Sequence, residues 1–169
     1  YFFQGEVSLP SLSLKNSRMT VNGTLHVAEE LNLQEGSLLT HSVSTTTVEN
    51  RLHLQAKRIS VDSTSRISAD GKGYLGGNRE GNTGRGRTLG NLAEGSTQWA
   101  GGSHGGYGGK KDSGQSSGKL YGSLYEPVDL GAGGGGNGVG GNGGGAVRLE
   151  AEELILDGIL SADGQTPSE

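Results

Sequence analysis

The chain has 169 residues, of which 34 are glycine, and only 30% of its residues are hydrophobic. This composition excludes a conventional side-chain core over the whole length, and the length predicts one domain or one domain interrupted by a second. The formal net charge is −4, which argues against nucleic acid as a partner because such proteins carry a basic excess. Cysteine is absent, which excludes disulfides, thiolate catalysis and zinc sites built on cysteine.

The first five residues, YFFQG, resemble the remainder of a protease-cleavable purification tag. We therefore leave residues 1–5 out of the expected fold. The longest apolar runs, such as Leu154–Leu156, are far shorter than the roughly 18 residues that a spanning helix needs. The sequence thus predicts no membrane insertion.

Residues 6–71 consist of short alternating apolar segments separated by turn-forming residues. The segment LHLQAKRISVDSTSRISADG (52–71) closely matches VRLEAEELILDGILSADG (147–164), and weaker copies occupy 25–42 and 12–25. Units of about 20 residues with short strands and no helical periodicity are typical of the stacked coils of a parallel β-solenoid. One predicted core layer contains Leu52, Leu54, Ile59, Val61 and Ile67, and the next contains Val147, Leu149, Leu154, Leu156 and Leu160.

Glycine is concentrated in the middle of the chain, where 29 of the 34 glycines lie between Gly71 and Gly145. The segments 101–109 and 131–146 repeat glycine at every third position. A polyglycine II helix has three residues per turn and packs side by side only where glycine lets backbones approach. A bundle of such helices is therefore predicted, with a flexible linker as the alternative. The structural glycines of this prediction are Gly102, Gly105, Gly108, Gly135, Gly138, Gly141 and Gly144.

The expected fold is all-β, a short parallel β-solenoid (β-helix) interrupted by a glycine-rich polyglycine II helix bundle. Residues 6–71 form the first solenoid coils, residues 72–145 form the insert, and residues 146–169 form the returning coil.

Three glycine-rich segments carry a resemblance to known families: WAGGSHGGYGG (99–109), GAGGGGNGVGGNGGGA (131–146) and GGN (76–78). They resemble the glycine-rich region in the extracellular part of anaplastic lymphoma kinase and its relatives, and the polyglycine II sandwiches of phage tail-tip adhesins. The resemblance implies polyglycine helices packed in a hexagonal bundle. Together with the strand repeats that end in SADG, the chain is similar to modules of very large, repetitive cell-surface proteins. This similarity implies an extracellular or cell-surface location, with neighbouring modules of the same parent protein as partners.

All aromatic residues outside the first five positions lie in the glycine-rich insert. They would either cover the glycine bundle, which has no side-chain core of its own, or form a contact surface with nearby basic residues. A protein or a glycan is the ligand that such a surface would bind. The candidate binding residues are Trp99, His104, Tyr107, Arg85, Arg87, Lys110 and Lys111.

Other motifs are better explained by structure than by chemistry. GKGYLG (71–76) fits a dinucleotide-binding glycine motif, but the following residues cannot form the helix that this motif requires, so no cofactor is predicted. Asp70 and Asp163 lie in SADG turns and could bind calcium or act on polysaccharides, although Asp-Gly is also an ordinary turn signal. No metal-ligand spacing joins the four histidines. Asn22 begins a glycosylation sequon if the protein is a eukaryotic secretory one.

The sequence therefore predicts a non-enzymatic structural or adhesive module of a large extracellular or cell-surface protein. It would act as a rigid spacer or as a protein or glycan contact. The alternative is a carbohydrate-binding or carbohydrate-active β-helix.

Overall fold

The computed structural model describes residues 1–167 of the chain. Within that range the fold has no α-helix, and one short 3-10 turn occurs at Leu89–Asn91. The strands are Phe2–Leu9 (β1), Leu12–Lys15 (β2), Arg18–Gln34 (β3), Leu38–Thr40 (β4), Leu52–Val61 (β5), Arg66–Ser68 (β6), Val147–Leu156 (β7) and Ile159–Ser161 (β8). Every pairing between these strands is parallel, and the sheet follows the order β7-β5-β3-β4-β6-β8, with β1 and β2 both on β3. The all-β, parallel, solenoid-like part of the prediction is confirmed.

The coil of β5 and β6 and the coil of β7 and β8 each have a long strand followed by a short one, and equivalent strands stack in register. Leu52 lies opposite Val147, Ile59 opposite Leu154, and on the short strands Ile67 opposite Leu160. These pairs are the ones that the sequence repeat aligns, because a parallel in-register stack places equivalent residues of successive coils side by side. β3 follows the same rule with a register shift between Val27 and Glu30.

The apolar core of this stack is formed by inward-facing aliphatic side chains of β3, β4, β5 and β6. Leu25, Leu54 and Ile67 are each 0% exposed. Alternate residues of a strand face the same side, so the apolar-x-apolar segments bury one face of each coil. Burial of this kind contributes roughly 25 cal/mol per Å² of apolar surface. A single coil could not bury its apolar side chains without the coils beside it.

Residues 2–5 belong to the fold, which corrects the expectation that the first five positions lie outside it. β1 begins at Phe2 and pairs with β3 from Phe2 opposite Thr20 to Leu9 opposite Val27. The backbone of these residues pairs because ladder hydrogen bonds depend little on side-chain identity.

Polar side chains join the turns of successive coils. The Ser17 N–H donates to Oγ of Ser37 at 3.2 Å, and the Ser37 N–H donates to Oγ of Ser65 at 3.0 Å. The Asp62 carboxylate accepts the Glu35 N–H at 2.8 Å, and this bond holds the pKa of Asp62 well below its usual range. Buried polar backbone groups need such partners, so the serine and aspartate residues of the turns are part of the stack.

Asn22 also connects successive coils. It is 6% exposed, its Nδ2 donates to Gln4 and Ser42, and its Oδ1 accepts the Ser42 N–H at 2.8 Å. An amide that is buried and hydrogen-bonded in this way cannot carry a glycan in the folded state. Asn22 therefore has a structural role in this fold.

The chain divides into two compact units. The first is the strand stack, Tyr1–Ser42, Arg51–Ala69 and Val147–Ser161. The second contains Val43–Asn50, Asp70–Ala146 and Ala162–Glu169. The boundaries of this second unit differ from those predicted from the sequence. The threonine-rich stretch and the residues after the last SADG segment group with the glycine-rich residues.

Three extended segments of the second unit, 73–77, 131–134 and 140–144, hydrogen-bond to one another. Each bond recurs three residues along the chain: the N–H of Tyr74 donates to Gly131 and that of Gly77 to Gly134. Hydrogen bonds between the other two pairs of segments have the same three-residue spacing. The bonds with this spacing are Gly131 to Gly144, Gly134 to Gly141, Gly140 to Gly77 and Gly143 to Tyr74, and Gly73 also donates to Gly143.

Candidate binding surface of the glycine-rich unit

Trp99 and Lys111 form the best-defined aromatic and basic pair of this unit. The Lys111 Nζ lies 4.7 Å from the centre of the Trp99 ring. Their backbones are also joined, because Ala100 and Lys110 form an antiparallel bridge and the Lys111 N–H donates to the Trp99 carbonyl at 3.3 Å. A cation over the face of an indole is attracted by the ring quadrupole. The pair is thus positioned both by its backbone and by its side chains.

Trp99 adopts a backbone conformation that is unfavourable for a bulky residue. Its φ is 65°, and its side chain remains 48% exposed. Only glycine adopts left-handed φ values without cost, and such outliers are often found at functional sites. A large apolar ring held at the surface in a strained backbone is therefore a candidate contact residue.

The Trp99 ring borders a groove of about 750 Å³. Four of its nine lining residues are glycine, so a ligand could approach their peptide groups closely, and the lining residue Asn137 hydrogen-bonds to Gln98 through the two side-chain amides. Pockets that combine an aromatic surface with a few polar groups are typical of ligand sites. The lining residues that matter here are Trp99, Ala100, Gly135, Asn137 and Val139.

His104 belongs to a different aromatic cluster. Its ring lies 5.0 Å from that of Tyr121, which in turn packs edge-to-face at 6.4 Å against the fully buried Tyr74. The Tyr121 hydroxyl donates to the Leu130 carbonyl at 2.7 Å, and burial raises the pKa of that hydroxyl. These rings cover the glycine segments, whereas Tyr107 is 76% exposed. Tyr74, Tyr121 and His104 thus pack against one another, whereas the Tyr107 ring lies at the surface.

The two arginines of the predicted binding set differ in their surroundings. Arg87 donates from Nε to Asn91, from Nη1 to Asn82 and from Nη2 to the Thr46 carbonyl, at 2.8, 3.1 and 2.8 Å. Arg85 is exposed and makes one long bond of 3.4 Å to the Gly95 carbonyl. We leave Arg87 out of the candidate surface, since its guanidinium is committed to holding the threonine-rich stretch.

The predicted structural glycines occupy three kinds of position. A Cβ at five of them would lie closer than 3.0 Å to other atoms: Gly102, Gly108, Gly135, Gly141 and Gly144. Gly105 instead adopts a turn with φ of 67° and has open space around it. Gly138 lies in an exposed bend, where its carbonyl accepts a bond of 2.8 Å from Asn78.

Asn142 is a structural residue that sequence reasoning missed. It is 5% exposed, its Oδ1 accepts the Gly76 N–H at 2.9 Å, and its Nδ2 donates to the Gly71 carbonyl at 3.2 Å. An asparagine interrupting a glycine tract was the available signal, because a side chain there must find room and hydrogen-bond partners between backbones.

The SADG turns stack on each other, as the Asp163 N–H donates to Oδ1 of Asp70 at 2.8 Å. Asp70 also lines a cleft of about 310 Å³ together with Arg79 and Glu80. The Arg79 Nε donates to the Gly140 carbonyl at 2.5 Å. Asp70 thus has a turn-capping role and is also exposed to a polar cleft.

No known protein family, curated protein or solved structure shows significant similarity to this chain. In the part of the chain that the structure describes, no three His, Asp or Glu side chains are grouped to hold a metal ion. No helix between residues 1 and 167 has the length and hydropathy of a membrane span.

Proposed function

We propose that this chain is a non-enzymatic structural and adhesive module of a large extracellular or cell-surface protein. Its strand stack serves as a rigid spacer, and its glycine-rich unit presents a contact surface for a glycan or a protein. The observation that carries the adhesive part is the Trp99–Lys111 pair beside its groove.

We also assign the glycine-rich unit to a polyglycine II-type bundle. Hydrogen bonds between its segments recur every third residue, as from Tyr74 to Gly131 and from Gly77 to Gly134. Three residues per turn and bonds only between neighbouring helices are the properties of that helix. Glycine is needed where a Cβ would meet the neighbouring backbone, as at Gly140 and Gly143.

The chemistry of the groove favours a glycan that carries an acidic group. An indole face packs against the apolar face of a sugar ring, while the Lys111 ammonium attracts a carboxylate or sulfate. Glycine walls add accessible peptide groups for sugar hydroxyls. The exposed Lys110, next along the chain, is a second basic residue of this segment.

A glycan array that contains neutral, carboxylated and sulfated oligosaccharides tests this function. We expect Trp99→Ala to weaken binding at least tenfold, and Lys111→Ala to weaken binding of acidic glycans more than that of neutral ones. Tyr125→Ala is the matched control, because Tyr125 is a 93% exposed aromatic residue outside the groove. Binding that survives Trp99→Ala but is lost in the control variant would contradict the proposal.

The alternative, a carbohydrate-active β-helix, is favoured by one observation, the cleft lined by Asp70, Arg79 and Glu80. Paired carboxylates in a cleft can serve as acid and base in glycoside cleavage. Hydrolysis of a polysaccharide by the purified protein, abolished by Asp70→Asn or Glu80→Gln, would replace our proposal with this one. We expect no turnover in either the original protein or the variants.

A further inference from the structure

We propose that the open edge formed by β7 and β8 docks one more solenoid coil, supplied by a neighbouring module of the parent protein. That coil carries adjacent basic residues opposite Glu152 and Glu153. The inference rests on the proposed function in one respect, since it takes the partner to be another module of the same parent.

The apolar columns of the strand stack reach this edge without ending in a cap. Ile59 and Val61 of β5 are 0% exposed, whereas their neighbours Leu154 and Leu156 of β7 are 47% and 40% exposed. On the short strands, Ile67 is 0% exposed and Leu160 is 41% exposed. The side chains at this edge have the same sequence pattern as the core and lack only the next layer.

The backbone of the edge is also suited to a further strand. β7 has ten residues and ends the sheet order at one end, and β8 ends it at the other. A long edge strand with one apolar face offers a row of N–H and C=O groups that template the pairing of another strand. Soluble proteins usually protect such edges with charges, a bulge or a covering segment.

Charge alternates between coils on the outer face of the stack and identifies the chemistry of the missing coil. Arg58 of β5 lies between two acids, 3.5 Å from Glu30 on one side and 3.2 Å from Glu153 on the other. Lys57 bonds to Glu29 at 2.8 Å, and its pKa is raised by that bond and by the more distant Glu152. The acidic pair of β7 is thus satisfied from one side only, and a coil on the open side would place a basic pair against it.

The β5 sequence itself is the natural probe, because it already fits beside strands with this acidic pair. A peptide with residues 51–61, RLHLQAKRISV, is titrated into ¹⁵N-labelled protein, and chemical-shift changes and amide exchange are recorded. We expect shifts confined to β7, β8 and their turn, with slower exchange of β7 amides. The K57E peptide should bind at least tenfold more weakly, and the protein variant Glu152→Lys should restore its binding.

Several results would overturn the proposal. These are shifts outside β7 and β8, equal binding of the original and K57E peptides, and no shifts at millimolar peptide. Concentration-dependent self-association with the same shifts and no peptide would also overturn it, by making a second copy the occupant. The Leu156→Glu variant is the apolar control and should lose peptide binding while keeping its glycan binding. Failure of this docking leaves the glycan assay unaffected, so the two proposals are tested separately.

Discussion

The Asp62 carboxylate accepts a hydrogen bond of 2.8 Å from the Glu35 N–H in the turn of the neighbouring coil. The same carboxylate accepts the N–H and the hydroxyl of Thr64 at 2.9 and 2.8 Å. These bonds lower the pKa of Asp62 in the folded state, with the Glu35 bond as the largest cause. The Asp62 side chain therefore closes its own turn and joins it to the turn of the neighbouring coil.

Because the folded pKa of Asp62 lies below the unfolded value, its contribution to stability is present above the unfolded pKa. That contribution is lost as the pH falls below about 3.8 towards the folded pKa. We expect Asp62→Asn to lower the melting temperature at pH 7, and the difference from the original protein to shrink as the pH falls towards 2. Thermal melts across that pH range measure this. A difference that stays constant with pH would contradict the assignment.

Gly143 should tolerate no side chain. A Cβ there would lie closer than 3.0 Å to the backbone of Gly131 and Ala132, so Gly143→Ala forces neighbouring segments apart. Overpacking of this kind costs about 1–3 kcal/mol, to be measured by urea unfolding.

Gly106→Ala is the matched control for this substitution. Nothing lies within 4 Å of a Cβ at Gly106, and its φ is not left-handed. Its free energy of unfolding should therefore stay close to that of the original protein. Equal losses in the two variants would show that backbone approach does not hold the glycine unit together.

Arg87 and Arg85 should differ sharply in their effect on stability. Arg87→Ala removes three hydrogen bonds to Asn91, Asn82 and Thr46, and we expect a loss of about 2–4 kcal/mol. Arg87→Lys should not restore it, because an ammonium lacks the planar fork that reaches three acceptors. Arg85→Ala should change the free energy of unfolding by less than about 0.5 kcal/mol. A large loss for Arg85→Ala with none for Arg87→Ala would reverse their assigned roles.

Trp99 should favour ligand binding at a cost to the stability of the fold. Trp99→Ala and Trp99→Gly both remove the indole, but only glycine adopts φ of 65° without cost. The glycine variant should be more stable than the alanine variant by about 1 kcal/mol, while both lose ligand binding. Calorimetric melting of the two variants measures the difference. An alanine variant more stable than the glycine variant would contradict backbone strain at position 99.

Amide exchange should show a three-residue rhythm in the glycine unit. The N–H groups of Tyr74, Gly77, Gly131 and Gly134 are bonded to neighbouring segments and should exchange slowly. The exposed turn at residues 112–115 should exchange far faster, as surface loops open readily. Uniformly fast exchange across residues 73–144 would instead indicate a flexible linker.

The stacking of the strand unit can be predicted from the sequence alone. The repeats at 52–71 and 147–164 predicted which residues face each other across β5 and β7, since a parallel stack repeats each position at a fixed place. The three-residue glycine rhythm agrees with close backbone approach at Gly141 and Gly144, but not at Gly105, which has open space around it. Both features are periodic, so they can be found from local pattern alone.

Segments and side chains that do not repeat in this way come together at places that only the folded chain shows. The stretch Val43–Asn50 groups with the glycine unit through bonds from Arg87 to Thr46 and from Asn91 to Thr45. These bonds join residues about forty positions apart in the sequence, and no local pattern predicts them. The stacking of Lys111 on Trp99 likewise depends on a bridge between two irregular segments. Side-chain bonds between non-repeating segments depend on three-dimensional position, which a periodic pattern does not encode.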